Sequence, residues 1–115
     1  MSENLQLPII EKVYQIYKQV VDITQIMPKN HCYSLGTSTE QTLLELLELL
    51  VSASLAPKSH KSAYLLKAQM KLSVLKLKVR LCLELKLANE TKLFQISSNI
   101  EEVGRMLGGW VKSAS

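Results

Sequence analysis

Leu93, Ile96, Ile100, Val103, Leu107 and Trp110 follow one another at steps of three, four, three, four and three residues. This spacing draws a single apolar seam along a helix, and such a helix is stable only when other helices cover the seam. Asn89 stands just ahead of it and suits the N-cap position, which predicts a helix over about residues 90–112. The rest of the chain therefore has to supply the other walls of a helical core.

It holds three further segments that can do so. Ile10, Val13, Tyr17, Val20, Thr24 and Met27 repeat the same steps, widened by Ile9, Ile16 and Ile23. They predict a helix over about 7–27, with Pro8 in its first turn and Pro28 as its stop. A break from Pro28 to Thr37, containing Asn30 and Gly36, precedes a second helix over about 38–56. Thr37 with Glu40, or Ser38 with Gln41, has the spacing of a capping box. Leu43, Leu44, Leu46, Leu47, Leu49, Leu50 and Val51 make this helix very apolar, with Glu45 and Glu48 marking its wet side, and it ends before Pro57.

The remaining segment, about 59–87, contains a strict apolar–polar alternation from Leu75 to Leu87, which by itself is a strand signal. Leu and Lys are good helix formers, and the run has no turn residue and exceeds an ordinary strand, so we read a helix. On helical projection Gln69, Ser73, Lys76, Arg80 and Glu84 share one polar stripe, while Lys67, Lys71 and Lys78 share another roughly opposite. Two apolar bands lie between them, so this helix has to pack on two sides, one inside its own bundle and one against another subunit. Leu75→Glu is the expected way to break that assembly. Four amphipathic helices with short breaks predict an all-α, antiparallel four-helix bundle in one domain over residues 1–115, forming a homo-oligomer.

Charge is segregated along the chain. Lys58, Lys61, Lys67, Lys71, Lys76, Lys78, Arg80 and Lys86 face a single acid, Glu84, between Lys58 and Leu87, whereas Thr37 to Pro57 carries Glu40, Glu45 and Glu48 and no Lys or Arg. A basic helix suggests an anionic partner, nucleic acid first. The plainer reading, a solvated face that keeps a Leu-rich helix soluble, weighs equally on charge alone.

Chemistry is harder to place. His31 and His60 are the only histidines, and neither forms a helical pair with another ligand. His31–Cys32 lacks the further ligands a structural metal site needs. Glu101 and Glu102 are adjacent and so point to different parts of the helix surface. No Gly-rich phosphate loop, nucleophile elbow or zinc-protease motif is present, so no catalytic residue, metal or cofactor is expected. Two isolated thiols, Cys32 and Cys82, and the absence of a signal-peptide pattern or an 18-residue apolar run fit a reduced, cytoplasmic chain with no membrane partner. Gly104 and Gly108, each costing roughly 1 kcal/mol inside a helix, predict close approach of another backbone, or else a helix that ends at Gly108–Gly109. Trp110, on the seam, is expected in the core.

The run Glu102-Val103-Gly104-Arg105-Met106-Leu107-Gly108-Gly109-Trp110-Val111-Lys112 resembles the C-terminal signature of accessory variability determinant (Avd) proteins of diversity-generating retroelements. Pro28-Lys29, Thr42 to Leu50 and Leu72 to Arg80 are similar to further parts of that family, so the resemblance covers nearly the whole chain. It implies a four-helix bundle, in a wider family that includes proteins encoded by intervening sequences of large ribosomal RNA genes. It also implies a five-fold homo-oligomeric ring that associates with a reverse transcriptase and its template RNA, and with DNA, without catalysis. Carried onto this sequence, Lys58, Lys61, Lys67, Lys71, Lys78, Arg80 and Arg105 become candidates for contacting nucleic acid or polymerase. Gly104, Gly108 and Trp110 become packing residues. The net charge is only +4 and the second helix is acidic, which favours the polymerase as direct partner. The rival expectations are a ribosomal intervening-sequence-type bundle with no polymerase partner, and a small helical enzyme or toxin–antitoxin component.

Overall fold

The protein, in a computed structural model, is described over residues 2–114, with side chains from Pro8 onward. The chain forms α1 (Ser2–Gln25), a short turn of helix α2 (Lys29–His31), a π-helical turn (Cys32–Gly36), α3 (Thr37–Leu55), α4 (Lys58–Glu84) and α5 (Glu90–Ala114). The described residues contain no strand. The long helices α1, α3, α4 and α5 are the walls of a four-helix bundle in which each packs on the next and α1 closes against α5.

Cross-helix pairs fix the antiparallel sense. Lys71 meets Glu45 and Lys78 meets Ser38 between α4 and α3. Lys76 reaches Glu101 between α4 and α5, and Lys12–Glu102 and Asn99–Gln19 join α5 to α1.

Each wall gives one seam to the core. Ile9, Val13, Ile16, Val20, Ile23 and Met27 come from α1 and the turn after it, and Leu43, Leu46, Leu50 and Ala53 from α3. Leu65, Ala68, Leu72, Leu75, Val79 and Cys82 come from α4, and Leu93, Ile96, Ile100, Val103, Leu107 and Trp110 from α5. Burying a large apolar side chain is worth about 1.5–3 kcal/mol, so these seams outweigh differences in helix propensity in holding the walls together. The seam expected from Leu93 to Trp110 is buried throughout, and the alternating run from Leu75 is helical to Glu84.

Several local expectations are corrected. The α1 seam runs through Ile9, Ile16 and Ile23, while Ile10 and Tyr17 are only half-buried at its edge. The helix begins at Ser2, so Pro8 stands inside it, on an exposed position. The break expected from Pro28 to Thr37 is helical from Lys29 onward, with Pro28 as an extended cap, because His31, Cys32, Gly36 and Thr37 all have right-handed helical backbone angles. Neither capping box forms. No side chain caps α3, and the Thr37 hydroxyl instead donates to the Cys32 carbonyl five residues back, at 2.9 Å. Because α3 grows out of a preceding helical turn, its first N–H groups already have partners and a cap is superfluous.

Gly36 makes this entry possible. It is buried, and a Cβ there would lie 2.7 Å from Thr24 Cγ2 and 3.3 Å from the Met27 sulfur. The π turn thus presses its backbone onto the end of α1.

At its other end α4 stops at Glu84 rather than Leu87. Lys86 takes a left-handed φ of 55°, its N–H bonds Leu83 O, and the Leu87 N–H bonds Cys82 O. This is a Schellman cap without the usual glycine, sealed by the buried Leu87 side chain. The α5 start is as expected, with the Asn89 side chain accepting the Lys92 N–H at 3.0 Å.

Candidate nucleic-acid and protein interface

Helix α4 presents two apolar bands, and the fold decides which faces which way. Leu65, Leu72, Leu75 and Val79 face the core. Leu66, Met70, Val74, Leu77 and Leu81, spaced by four, four, three and four residues, run along the opposite side and are between 42 % and 69 % exposed. Leu75, the residue expected at a subunit contact, is fully buried in the bundle. The outward band is instead the one carrying Leu77. Hydropathy alone does not separate the two bands, because both are Leu-rich at helical spacing.

The outward band is bordered by cations on both sides, and the seven candidate residues divide by what already holds them. Between α4 and α3, the Lys71 ammonium pairs with Glu45 at 2.8 Å. Lys78 donates to the Thr42 hydroxyl at 2.7 Å and to the hydroxyl and carbonyl of Ser38. Lys61 donates to Ala53 O and Ser54 O at 2.8 and 3.3 Å, capping the carbonyl end of α3. On the other border Arg80 pairs with Glu84 one turn along, at 2.9 Å. Lys76, absent from the sequence-based set, lies 3.5 Å from Glu101.

Lys58 and Lys67 are exposed. Arg105 lies on the exposed side of α5 near Glu102, whose carboxyl is held below its ordinary value by a hydrogen bond from Lys12 and, more weakly, by Arg105. The fold therefore gathers Lys67, Lys71 and Lys78 along one border of α4, places Arg80 on the other, and leaves Arg105 on a neighbouring wall. The sequence does not show that Lys61 and Lys78 are tied to α3, since their acceptors are hydroxyls and carbonyls that carry no charge signal.

The adjoining wall has the opposite character. Leu44, Val51 and Leu55 are exposed on α3, with Leu47 half-buried among them, and Glu48 is exposed and Glu40 half-buried on the same helix. The Glu45 carboxyl is pulled below its ordinary value by the hydrogen bonds from Lys71 and Gln41. Between α3 and α4 a shallow groove of about 380 Å³ is lined by Glu45, Glu48, Leu49, Ser52, Lys67, Met70 and Lys71.

Of the two readings of the α5 glycines, the helix end is overturned. The helix continues to Ala114, so Gly108–Gly109 does not end it. A Cβ on Gly104 would make ordinary contact with Leu72 and the Lys76 ammonium at 3.7 and 3.8 Å, and nothing lies within 4 Å of one on Gly108 or Gly109. No backbone of the same chain approaches them. Trp110 is buried in the core, as its seam position predicted. Cys32 and Cys82 are free thiols, the latter buried, which pushes its pKa up and keeps it protonated. Among the described residues, no three His, Cys, Asp or Glu side chains cluster in a way that would hold a metal ion, and no helix is long and apolar enough to cross a membrane.

A family model described as bAvd-like matches residues 7–114, nearly the full length of the bundle. None of the curated proteins compared with the chain matches it.

Proposed function

The chain belongs to the bAvd-like family, and on that premise we propose that it is a non-enzymatic accessory protein of a diversity-generating retroelement. In this reading it assembles with copies of itself, binds the element's reverse transcriptase and its template RNA and complementary DNA, and supports mutagenic reverse transcription without catalysing it. Its place of action is the cytoplasm.

The observation that carries the reading is the outer side of α4. A soluble monomer gains nothing from a row of five exposed apolar side chains bordered by Lys67, Lys71, Lys78 and Arg80. Such a surface suits a protein partner along the apolar row and a phosphate backbone along its cationic borders. Lys58, Lys67 and Arg105 are the first candidates for nucleic acid, because binding there does not compete with hydrogen bonds that tie α4 to α3.

The test is co-expression with a tagged reverse transcriptase encoded beside the gene, followed by purification with and without nuclease. Retention through nuclease treatment supports a direct polymerase partner. Retention lost on nuclease treatment makes RNA the bridge. No retention under either condition overturns the polymerase role and leaves the ribosomal intervening-sequence type of bundle.

A further inference from the structure

We infer that the groove between the C-terminal half of α1 and the N-terminal half of α5 reads a single unpaired guanine base. This rests on the nucleic-acid binding proposed above, and it names the base recognised on a wall of the bundle away from the α4 lysines.

The contact between α1 and α5 is a ladder of polar rungs. Lys12 pairs with Glu102 at 2.7 Å, and further along the Asn99 amide donates to Gln19 at 3.0 Å. In this antiparallel register the next rung brings Asp22 of α1 level with Lys92 and Gln95 of α5. That rung is not made. Among the described residues no ion pair joins Asp22 to Lys92, and both are exposed. In its place lies a hollow of about 150 Å³, lined by Gln19, Asp22, Lys92, Gln95 and Ile96. A carboxylate and an ammonium thus face each other across a gap, with their bonding capacity unspent.

The chemistry of these groups selects a ligand. Asp22 offers two acceptor oxygens, Lys92 offers donors only, and the Gln95 amide can do either. The Gln19 carbonyl oxygen already accepts from Asn99, and its amino group is turned to donating. Buried Ile96 gives an apolar floor. A matching ligand is flat, with two donors side by side for the carboxylate and an acceptor beside them for the ammonium. The Watson–Crick edge of guanine has that order. Its N1–H and N2 amino group donate to the two oxygens of one carboxylate, and its O6 accepts from the ammonium. Adenine and cytosine each present a single donor group on this edge and leave one carboxylate oxygen unmet. Uracil flanks its one donor with two acceptors.

In a duplex this edge is occupied, so the site reads an unpaired base. The hollow is about the size that admits one aromatic ring, which suits a purine entering edge first with its sugar and phosphate outside. Lys18, exposed on α1 one turn before Asp22, supplies a cation for the attached phosphate.

The experiment uses the full chain labelled with nitrogen-15 and free nucleotides, so it needs neither the polymerase nor the α4 surface. Guanosine 5′-monophosphate is titrated while amide signals are followed by nuclear magnetic resonance, with adenosine 5′-monophosphate as a control of equal charge. Guanosine monophosphate is expected to move the side-chain amide signals of Gln95 and Gln19. It is expected to bind about ten-fold more tightly than adenosine monophosphate, the discrimination of one bidentate base contact. Asp22→Asn, at an exposed position, is expected to lose that preference and to favour xanthosine 5′-monophosphate. The Asn amide donates to the carbonyl that xanthine carries in place of the N2 amino group.

An equal response to guanosine and adenosine monophosphates, no movement at Gln95 and Gln19, or an Asp22→Asn variant that still prefers guanosine monophosphate each overturns the inference. Should the variant fail to fold, inosine 5′-monophosphate decides on the unmodified protein. It lacks only the N2 amino group, so it is expected to bind several-fold more weakly than guanosine monophosphate, and equal binding overturns the inference. Polymerase retention is read separately and leaves this measurement unaffected, so the two readings fail independently.

Discussion

The Lys78 ammonium lies 2.7 Å from the Thr42 hydroxyl, between α4 and α3, and it is also bonded to Ser38. A cation selected by charge as a ligand-binding group is thus a strut between two walls. Lys78→Met keeps the apolar stem and removes three donated bonds, leaving the Thr42 and Ser38 groups without this donor. A half-buried charged hydrogen-bond set of this kind is worth about 1–2 kcal/mol. The variant is expected to melt several degrees lower by circular dichroism. Lys67→Met, at an exposed position, is expected to leave the melting temperature unchanged while weakening any nucleic-acid binding, and a salt titration of that binding should give a shallower slope.

Gly36 and Gly109 predict opposite responses to the same change. Gly36→Ala drives a methyl group to 2.7 Å from Thr24 Cγ2 and is expected to cost about 1–3 kcal/mol in urea unfolding. Gly109→Ala meets open space within a regular helix and is expected to gain about 1 kcal/mol. A stabilised monomer that assembles less well would place the open glycines at a contact between chains.

The two ends of the α4–α5 connection offer a further contrast. Asn89→Ala removes the acceptor of the Lys92 N–H and is expected to lower stability by about 1 kcal/mol. Lys86→Gly relieves a left-handed backbone at a residue with a Cβ and is expected to raise it by roughly 0.5–1 kcal/mol, the strain relieved exceeding the added freedom of the unfolded chain. Denaturant midpoints measured at unchanged slope would check both.

Glu45 and Glu102 both have pKa values lowered in the folded state, chiefly by hydrogen bonds from Lys71 and Lys12. A depressed carboxylate contributes stability that is fully present above its unfolded pKa and is lost as pH falls through the folded value. Stability is therefore expected to hold from neutral pH to about 5 and to decline below roughly 4. Both pairs are solvent-exposed, so the decline is modest and shrinks further in high salt. Lys71→Met with Lys12→Met should flatten it, as followed by thermal melts across that range.

The α5 seam was legible residue by residue, because a three–four spacing with polar residues between leaves only one face to bury. The α1 seam was legible as a stripe but not in its centre, since Ile9 and Ile10, or Ile16 and Tyr17, are adjacent in sequence and both apolar. The helical path from Lys29 to Thr37 was not legible. It depends on Gly36 fitting against Thr24 and Met27, a contact with another element that local propensity does not encode. Of the candidate interface, the two bands of α4 were foreseen. Their assignment was not, nor was the tying of Lys61, Lys71 and Lys78 to α3.

Taken alone, the sequence determined that this chain is four amphipathic helices around a shared core, that its cations are concentrated on one helix and its uncompensated acids on another, and that it carries the pattern of its family. These follow from periodicity and composition, which are properties of residues in order. The tertiary structure decided which apolar band of α4 is covered and which lysines are occupied. It also decided that the basic and acidic outer faces lie on neighbouring walls of one bundle. Burial and hydrogen bonding depend on which surfaces the packing brings within a few ångströms, and that is a relation between helices rather than along any one of them.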